Sequence, residues 1–348
     1  MTSIPSRSAR LSRLALAVAL VLPVAVRAQA GSYHVVKKIA TAGEGGWDYL
    51  VVEPTTHRLF VSRGTHVQVV DLDHDSLVAD IANTPGVHGI AFAPKLGRGF
   101  TSNGRDSSVT IFDIKTLAIL GNVKVTGRNP DAIHFDEVSN RVFTFNGGSA
   151  NATAIDAATG KVVGTVTLSG KPETAASDGN GTVYVNIETK NEIVAFDART
   201  LAVKRHLPLT GCDEPTGMAI DRTRGHLYVG CGGSKGMAVV DYRAGKQIAM
   251  VPVGEGVDAN GFDPATGLSF ASAGEGTLAV VHETAAGKFA ATMVPTVRGA
   301  RTMALDERTH RIYLSSAQYG PMPEKTAERP NPRPAMVPGS FAILVLDR

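Results

Sequence analysis

A unit of about 42 residues recurs seven times along this chain, and this repeat limits the possible folds more than any other feature. Each unit contains a strand with a central aromatic residue, a Gly-rich turn, a second apolar strand that ends in Asp, and a polar turn; residues 141–161 show it most clearly. The aromatic residues are Phe60, Phe100, Phe143, Tyr184, Tyr228, Phe270 and Tyr313. The closing residues are Asp71, Asp113, Asp156, Asp197, Asp241, His282 and Asp347, separated by 42, 43, 41, 44, 41 and 65 residues.

This spacing predicts an all-β fold, because a period of about 40–45 residues with four short strands is typical of a β-propeller blade. The segment 33–40 is a strand with no partner before it, and the last unit stops after its third strand, residues 341–346. Pairing these two strands would complete the last blade. We therefore predict a single seven-bladed β-propeller with four-stranded antiparallel blades, closed by the N-terminal strand.

Residues 1–30 have the pattern of a secretory signal peptide, with arginines before an apolar run and small residues after it. We predict cleavage near Ala28 or Ala30 and a periplasmic or secreted protein, with the propeller in residues 31–348. The apolar run is too short for a membrane span. Without the four arginines of the leader, 31 basic residues face 32 acidic ones. A nearly neutral chain makes nucleic acid an improbable partner, because nucleic-acid-binding domains are usually basic.

Two features fall on one face of the predicted ring. Residues 318–340, with six Pro, form a loop inserted between the second and third strands of the last blade. That connection lies on the face where every innermost strand begins, so we expect the loop to reach over that mouth of the channel. Cys212 and Cys231 fall on the same face of one blade, and we predict a disulfide that closes a loop of about 20 residues, worth about 3 kcal/mol.

The strands RVFTFNG, TVYVNIE and HLYVGCG, each followed by a strand that ends in Asp, and the segment DAATGKVVGTV resemble the YVTN-repeat family of exported seven-bladed propellers of the YncE type. The resemblance covers nearly the whole chain after the leader and implies the same architecture. Most units depart from the tetrapeptide of the family, and the sixth unit (LSFASAG, with His282) departs furthest. Related propellers include lyases, haem domains and docking platforms, so the resemblance implies no particular activity.

Differences between the repeats indicate where function lies, since a residue type found in nearly every blade at one position serves the fold. The closing Asp residues cap turns in this interpretation, and the seven aromatics pack blades together. The first residue of each innermost strand differs from blade to blade, and these residues meet at the channel mouth. They are Asp48, His88, Asp131, Glu173, Thr216, Asp258 and Arg301.

This set of residues allows more than one interpretation. Asp48, His88, Asp131 and Glu173 are candidate ligands of a divalent metal ion, because carboxylates suit Ca²⁺ or Mg²⁺ and a His admits Zn²⁺ or Mn²⁺. The same side chains could act as a general acid and base. They could equally form a solvated polar funnel. Trp47, Arg63, Asn103 and Asn146 are expected around this set as further ligand contacts.

The sequence therefore favours a monomeric binding protein that takes a small molecule or an exported protein at the channel mouth. A metal-assisted lyase or hydrolase that uses the mouth carboxylates and His88 is the alternative, and an interaction scaffold is the third. No catalytic residue is identified, because the chain has no H-E-x-x-H, C-x-x-C-H or P-loop motif. The glycine-rich run at 231–236 contains a G-x-S-x-G match, but it is expected in the turn between two strands of one blade, with no helix after it, and so is not a nucleophile elbow. No cofactor is assigned beyond the candidate metal.

Overall fold

The computed structural model describes residues 1–3, 33–41, 43–326, 329–330, 332 and 334–348. Nearly all of the predicted leader lies outside the described residues, so the leader and its cleavage site stay predictions. Among the described residues, no helix is long and apolar enough to cross a membrane.

The described residues form 28 strands and two short 3₁₀ helices, Pro94–Leu96 and Glu188–Lys190. The strands of the first half are β1 (His34–Ala40), β2 (Leu50–Glu53), β3 (Arg58–Ser62), β4 (Val67–Asp71), β5 (Ser76–Ile81), β6 (Val87–Ala93), β7 (Arg98–Asn103), β8 (Ser108–Asp113), β9 (Ile119–Lys124), β10 (Pro130–Asp136), β11 (Arg141–Asn146), β12 (Asn151–Asp156), β13 (Val162–Thr167) and β14 (Pro172–Ser177). Those of the second half are β15 (Thr182–Ile187), β16 (Glu192–Asp197), β17 (Val203–Pro208), β18 (Pro215–Asp221), β19 (His226–Cys231), β20 (Gly236–Asp241), β21 (Lys246–Pro252), β22 (Val257–Asp263), β23 (Leu268–Ala273), β24 (Thr277–Ala285), β25 (Lys288–Pro295), β26 (Met303–Leu305), β27 (Ile312–Ser316) and β28 (Ala342–Asp347).

These strands form seven four-stranded antiparallel sheets, which confirms the predicted seven-bladed propeller. Six blades take four consecutive strands each, from β2–β5 to β22–β25. The seventh has the order β26-β27-β28-β1, with His34 paired to Asp347 and Ile39 paired to Ile343. The N-terminal strand therefore closes the ring, as the repeat predicted.

The blades pack face to face through their second and third strands, which are almost wholly buried, while the outer strands alternate between exposed and half-buried residues. All seven repeat aromatics are buried. Phe143 lies against Phe196 of the next blade, with ring centroids 5.2 Å apart, and Tyr184 lies 5.1 Å from Tyr242 in the same way. These contacts explain why one aromatic recurs in every unit, since stacked or edge-on rings stabilise a dry interface.

The sixth blade shows what the missing closing Asp changes. In the other blades an Asp ends the third strand and accepts hydrogen bonds from the turn, as Asp156 does from the backbone N–H of Thr159 at 2.7 Å. His282 occupies this position in blade six, and β24 continues three residues beyond it to Ala285. The strand continues into a longer hairpin with β25, and the carboxylate that caps its turn is Glu283, which accepts a hydrogen bond from Gly287 N–H at 2.8 Å.

Backbone hydrogen bonds join the segment before each innermost strand to the turn that follows the second strand of the same blade. Both therefore lie on one face of the ring. Gly147 N–H donates to the carbonyl of Asn129 at 3.0 Å, and Glu188 N–H donates to that of Lys171 at 2.9 Å. The long insertion of blade seven lies between β27 and β28, on this face, as expected. The predicted disulfide between Cys212 and Cys231 is present, and both residues are buried.

Candidate functional site

The centre of this face holds a cluster of Asp48, His88 and Asp131. Nδ1 of His88 lies 2.6 Å from Oδ2 of Asp48 and 3.7 Å from Oδ1 of Asp131. One ligand atom from each of these three residues lies within 4.8 Å of the others, which is a spacing that a single metal ion could span. The structure thus brings together the first three members of the predicted set, each from a different blade.

A β-bulge at the start of the innermost strand positions two of these side chains, His88 and Asp131. In β6 the paired residues are Val87 with Asn103 and then Ile90 with Thr101, so His88 and Gly89 together oppose one residue of β7. The same irregularity lies at the starts of β10, β14, β18 and β22. Because a bulge redirects side chains and ends regular pairing, it turns the first residues of these strands toward the axis. Gly104 provides room for the imidazole, since a Cβ there would lie 2.7 Å from Nε2 of His88.

Glu173 lies in a second group, with Lys171 and Glu188. Nζ of Lys171 lies 2.7 Å from Oε1 of Glu173, and it also forms an ion pair with Glu188. Glu173 is not part of the three-residue cluster, so the four-residue metal set expected from the sequence is reduced to three in this structure. A lysine ammonium occupies the place beside Glu173 that a cation would take.

The remaining mouth positions differ in what they offer a ligand. Nε of Arg301 lies 3.2 Å from Oδ2 of Asp258, and about half of the arginine side chain remains exposed. Thr216 donates its hydroxyl to the carbonyl of Val257 at 2.9 Å, so it braces the neighbouring blade. We call the following residues the acidic mouth: Asp48, His88, Asp131, Lys171, Glu173, Glu188, Asp258 and Arg301. It contains five carboxylates and three cationic side chains.

Crowding and burial raise the pKa values of three of these carboxyl groups. Burial, and then the negative charge of Asp131, raises the pKa of Glu173 to about 8. Burial and the charge of Asp48 raise the pKa of Asp131 to about 6. Burial raises the pKa of Asp258 to about 6 although Arg301 opposes the shift. The hydrogen bond that His88 donates to the carboxylate of Asp48 raises the pKa of His88. Each shift has the sign expected where too much negative charge is held out of water.

Tyr49 forms the floor beneath these groups and was not identified from the sequence. Its hydroxyl oxygen lies 3.5 Å from Oγ1 of Thr174, which joins blade one to blade four across the channel. Its ring packs against the apolar cluster of blades three and four. Burial, followed by the charges of Asp131, Glu173 and Asp48, raises its pKa well above the usual value. The phenol therefore stays neutral under the carboxylates.

Lys171 and Glu188 were also missed, although the repeat contains the signal that identifies them. Glu188 occupies the first position after the second strand, where five other blades have Gly and the seventh has Ala317. Lys171 lies two residues before the mouth position, where the other blades have Gly, Asn or Glu. The Glu188 column otherwise holds only small residues, and Lys171 is the one basic residue in its column, so each departs from the repeat as the mouth residues do.

Trp47 lines an open cleft of about 1210 Å³ between the acidic mouth and the blade-seven loop. Its ring lies 5.3 Å from that of Phe341 and 6.2 Å from that of Tyr319, measured between centroids. Hydrogen bonds pair the base of the loop, from Gly320 N–H to the carbonyl of Ala335 and from Val337 N–H to that of Gln318, both 2.8 Å. The loop and Trp47 thus share one cleft, and Arg301 also lines it.

Three residues expected as ligand contacts lie in the interior instead. Arg63 is fully buried, stacks 3.6 Å from the centroid of the Phe341 ring and donates to the carbonyls of Gly43 and Gly45. Asn103 and Asn146 are also fully buried, and each bonds hydroxyl groups of its own blade. Their amides and guanidinium are used by the protein itself because second strands end beneath the mouth surface. We therefore omit them from the site.

Comparisons with known proteins support the fold and leave the family open. No protein-family model and no curated protein matches the sequence. Among solved structures, 1727 chains match, so this fold is shared too widely to indicate one activity. One is a chain from the crystal structure of the mitotic checkpoint complex, with a TM-score of 0.75 and 13% identity over 97% of this chain and 99% of that one. At this identity the likeness shows the propeller fold, and the YVTN-repeat resemblance stays a prediction.

Proposed function

We propose that this protein is an exported binding protein that captures a small cation at the acidic mouth. The observation on which the proposal rests is the excess of carboxylates: five converge on one axis and three cationic side chains face them. Burial and mutual repulsion raise the pKa values of Asp131, Glu173 and Asp258. A bound cation would relieve this repulsion, and binding would release protons. The disulfide supports export, because disulfides persist in oxidising compartments.

The cation could be a divalent metal ion or an organic ammonium group, since both are bound by converging carboxylates. Isothermal titration calorimetry of the mature protein with Ca²⁺, Mg²⁺, Zn²⁺, Mn²⁺ and putrescine shows which of these two kinds of cation binds. We expect saturable binding by at least one cation, tighter at pH 8 than at pH 6 because the carboxyl groups with raised pKa values must lose their protons first.

The test variant is Asp131→Asn, with Asp156→Asn in the same blade as a matched control. Asp156 accepts hydrogen bonds from its own turn, far from the axis. We expect Asp131→Asn to weaken cation binding at least about tenfold, since it removes a charged partner, and the control to bind like the wild type. Absence of binding by all five cations, or equal binding by Asp131→Asn, would refute the proposal.

Metal-assisted hydrolysis or elimination is a second candidate, favoured by the spacing of Asp48, His88 and Asp131. These residues would hold the ion, which would polarise a substrate oxygen. His88 would have to give up its proton to become a ligand, and its hydrogen bond to Asp48 would orient the ring. Turnover that requires metal and disappears in His88→Ala would support this candidate, whereas cation binding without turnover leaves the binding protein.

A further inference from the structure

The cleft beside the acidic mouth has the opposite charge. Fourteen of the described residues line it, and the charged ones among them, Arg298 and Arg301, are both cationic. None of these lining residues is acidic. The acidic mouth and the cleft therefore attract ligand groups of different charge, although they lie on the same face of the ring.

The rest of the lining is largely apolar and includes side chains that water still covers. Tyr319 is 43% exposed and Met322 is 64% exposed. Trp47, Val297, Pro334 and Met336 complete the apolar wall. Large apolar side chains that face one cleft, with few polar groups among them, are typical of a site for an organic ligand. Met side chains adapt well to ligands of different shape.

Arg298 is the group that would select the ligand. Its side chain is exposed, and no described carboxylate forms an ion pair with it. Arg301, by contrast, is already bonded to Asp258. A tight turn fixes the backbone at Arg298, since Gly299 N–H donates to the carbonyl of Gly274 and Ala300 N–H to that of Val297, both at 2.9 Å. A guanidinium held on a rigid turn suits bidentate recognition of a carboxylate.

The aromatic wall is equally rigid. Trp47 packs on Phe341, which in turn lies against the buried guanidinium of Arg63. Tyr319 lies over Gly299, where an added Cβ would lie 3.2 Å from its ring. The cleft is thus formed before any ligand enters, which reduces the entropy lost on binding.

We propose that this cleft binds an apolar organic carboxylate, with Trp47, Tyr319 and Met322 against its apolar body and Arg298 on its carboxylate. The ligand class follows from charge complementarity and does not depend on cation capture at the acidic mouth. The two proposals can therefore fail separately.

The chain has a single Trp, so tryptophan emission reports on Trp47 and hence on this cleft. The mature protein is titrated with 3-phenylpropionate, its neutral amide and 3-phenylpropylamine while Trp47 emission is recorded. These probes share one apolar body and differ in charge. We expect the carboxylate to change the emission saturably and to bind at least about tenfold tighter than the amide or the amine.

Arg298→Gln should weaken phenylpropionate binding at least about tenfold and leave the affinity for the amide unchanged. The matched control is Arg105→Gln, an exposed arginine in the turn between β7 and β8, on the same face but outside the cleft. Met322→Glu is a second variant that places a negative charge in the cleft, and it should weaken the carboxylate and strengthen the amine. Thermal melting confirms that all three variants are folded.

Three outcomes would overturn the proposal: amide and carboxylate binding equally well, no saturable emission change with phenylpropionate, or Arg298→Gln behaving like Arg105→Gln. None of these outcomes bears on cation binding, which is measured by calorimetry at the acidic mouth.

Discussion

The two ends of the innermost strands both carry rings of acidic residues, and the two rings have different physical chemistry. In β10, Asp131 begins the strand at the mouth and Asp136 ends it at the opposite face. We call the second ring the turn acids: Glu53, Asp136, Asp178, Asp221, Asp263 and Asp306. Their carboxylates accept hydrogen bonds from the turn that follows, as Asp136 does from Ser139 N–H at 2.8 Å. The carboxylates of the acidic mouth face one another and the cations of other blades.

This difference separates acids that stabilise the fold from acids that are available to a ligand. A carboxylate that receives N–H groups is stabilised in its ionised form, whereas a buried carboxylate beside others is destabilised in that form. Asp306 shows the first case, because its hydrogen bonds lower its pKa although burial opposes them. Glu173 shows the second, because burial and the charge of Asp131 raise its pKa to about 8. The mouth carboxylates are not stabilised by N–H donors of the protein, so a bound cation can stabilise them.

The largest expected effect comes from removing a turn acid. Asp221 accepts hydrogen bonds from Thr223 N–H at 2.8 Å, from Arg224 N–H at 2.9 Å and from the Arg224 guanidinium at 2.9 Å. We expect Asp221→Ala to lower the free energy of unfolding by about 2–3 kcal/mol, because three hydrogen bonds to a buried carboxylate are lost and a space is left in its place. Asp131→Asn should leave stability unchanged or raise it, because a buried acid beside Asp48 is removed. Urea denaturation of the two variants compares them directly, and equal losses would remove the distinction between the rings.

A second, smaller effect is expected in the pH dependence of stability. The pKa of Glu173 is about 8 in the folded protein, against an ordinary value of 4.5. Proton binding therefore stabilises the folded state: this contribution is fully present below pH 4.5 and is lost as the pH rises through 8. Asp131 and Asp258 add the same sign over a range that ends near pH 6. We expect these three carboxyl groups to favour stability at pH 5 over pH 8, by on the order of 1 kcal/mol. His134 acts in the opposite direction below pH 6.5, because burial lowers its pKa to about 4.

Glu173→Gln tests this expectation, because the amide does not titrate. The variant should unfold at higher urea concentration than the wild type at pH 8, and its stability relative to the wild type should increase as the pH rises from 5 to 8. Asp156→Asn is the control, since hydrogen bonds from Thr159 lower the pKa of Asp156. Its contribution is lost only as the pH falls through the acid range, below this window. Wild-type and Glu173→Gln profiles that run parallel from pH 5 to pH 8 would contradict the raised pKa of Glu173.

The architecture could be predicted from the sequence because the same pattern of strands and turns recurs in seven units. A buried aromatic, a capped turn and an outer strand recur, and the unpaired strand at each end left one way to close the ring. The mouth positions could be predicted for the same reason, since a residue at a fixed place in each blade points to the same axis. Asp48, His88 and Asp131 are close in space, although 40 or more residues separate them in sequence.

The sequence did not indicate how far below the mouth surface each residue lies along the channel axis. Arg63, Asn103 and Asn146 share a face with the mouth, yet they lie one layer beneath it, where packing and hydrogen bonds within the blade use them. Tyr49 was missed because its ring crosses from blade one to blade four, and a repeat describes neighbours within a blade rather than contacts across the ring. Such contacts depend on the width of the channel, which no single repeat encodes.

The smallest expected effect comes from restoring the repeat at Glu188, where other blades have Gly. Glu188→Gly removes one negative charge from the acidic mouth and leaves the ammonium of Lys171 to Glu173 alone. Both changes favour ionised Glu173, so its pKa should fall by about half a pH unit. Titration of the Glu173 side-chain carbon by NMR measures this shift. Glu192→Gln is the control, because Glu192 is bonded to His206 and lies outside the acidic mouth.

The result decides what distinguishes the two rings of acids. A lower pKa of Glu173 in Glu188→Gly would show that charges from several elements act on one another around the axis, as a site for a cation requires. An unchanged pKa would mean that Glu188 does not act on Glu173, and that burial and the charge of Asp131 set the value. The convergence of charge would then not extend to Glu188, and cation capture would have to rest on the remaining carboxyl groups.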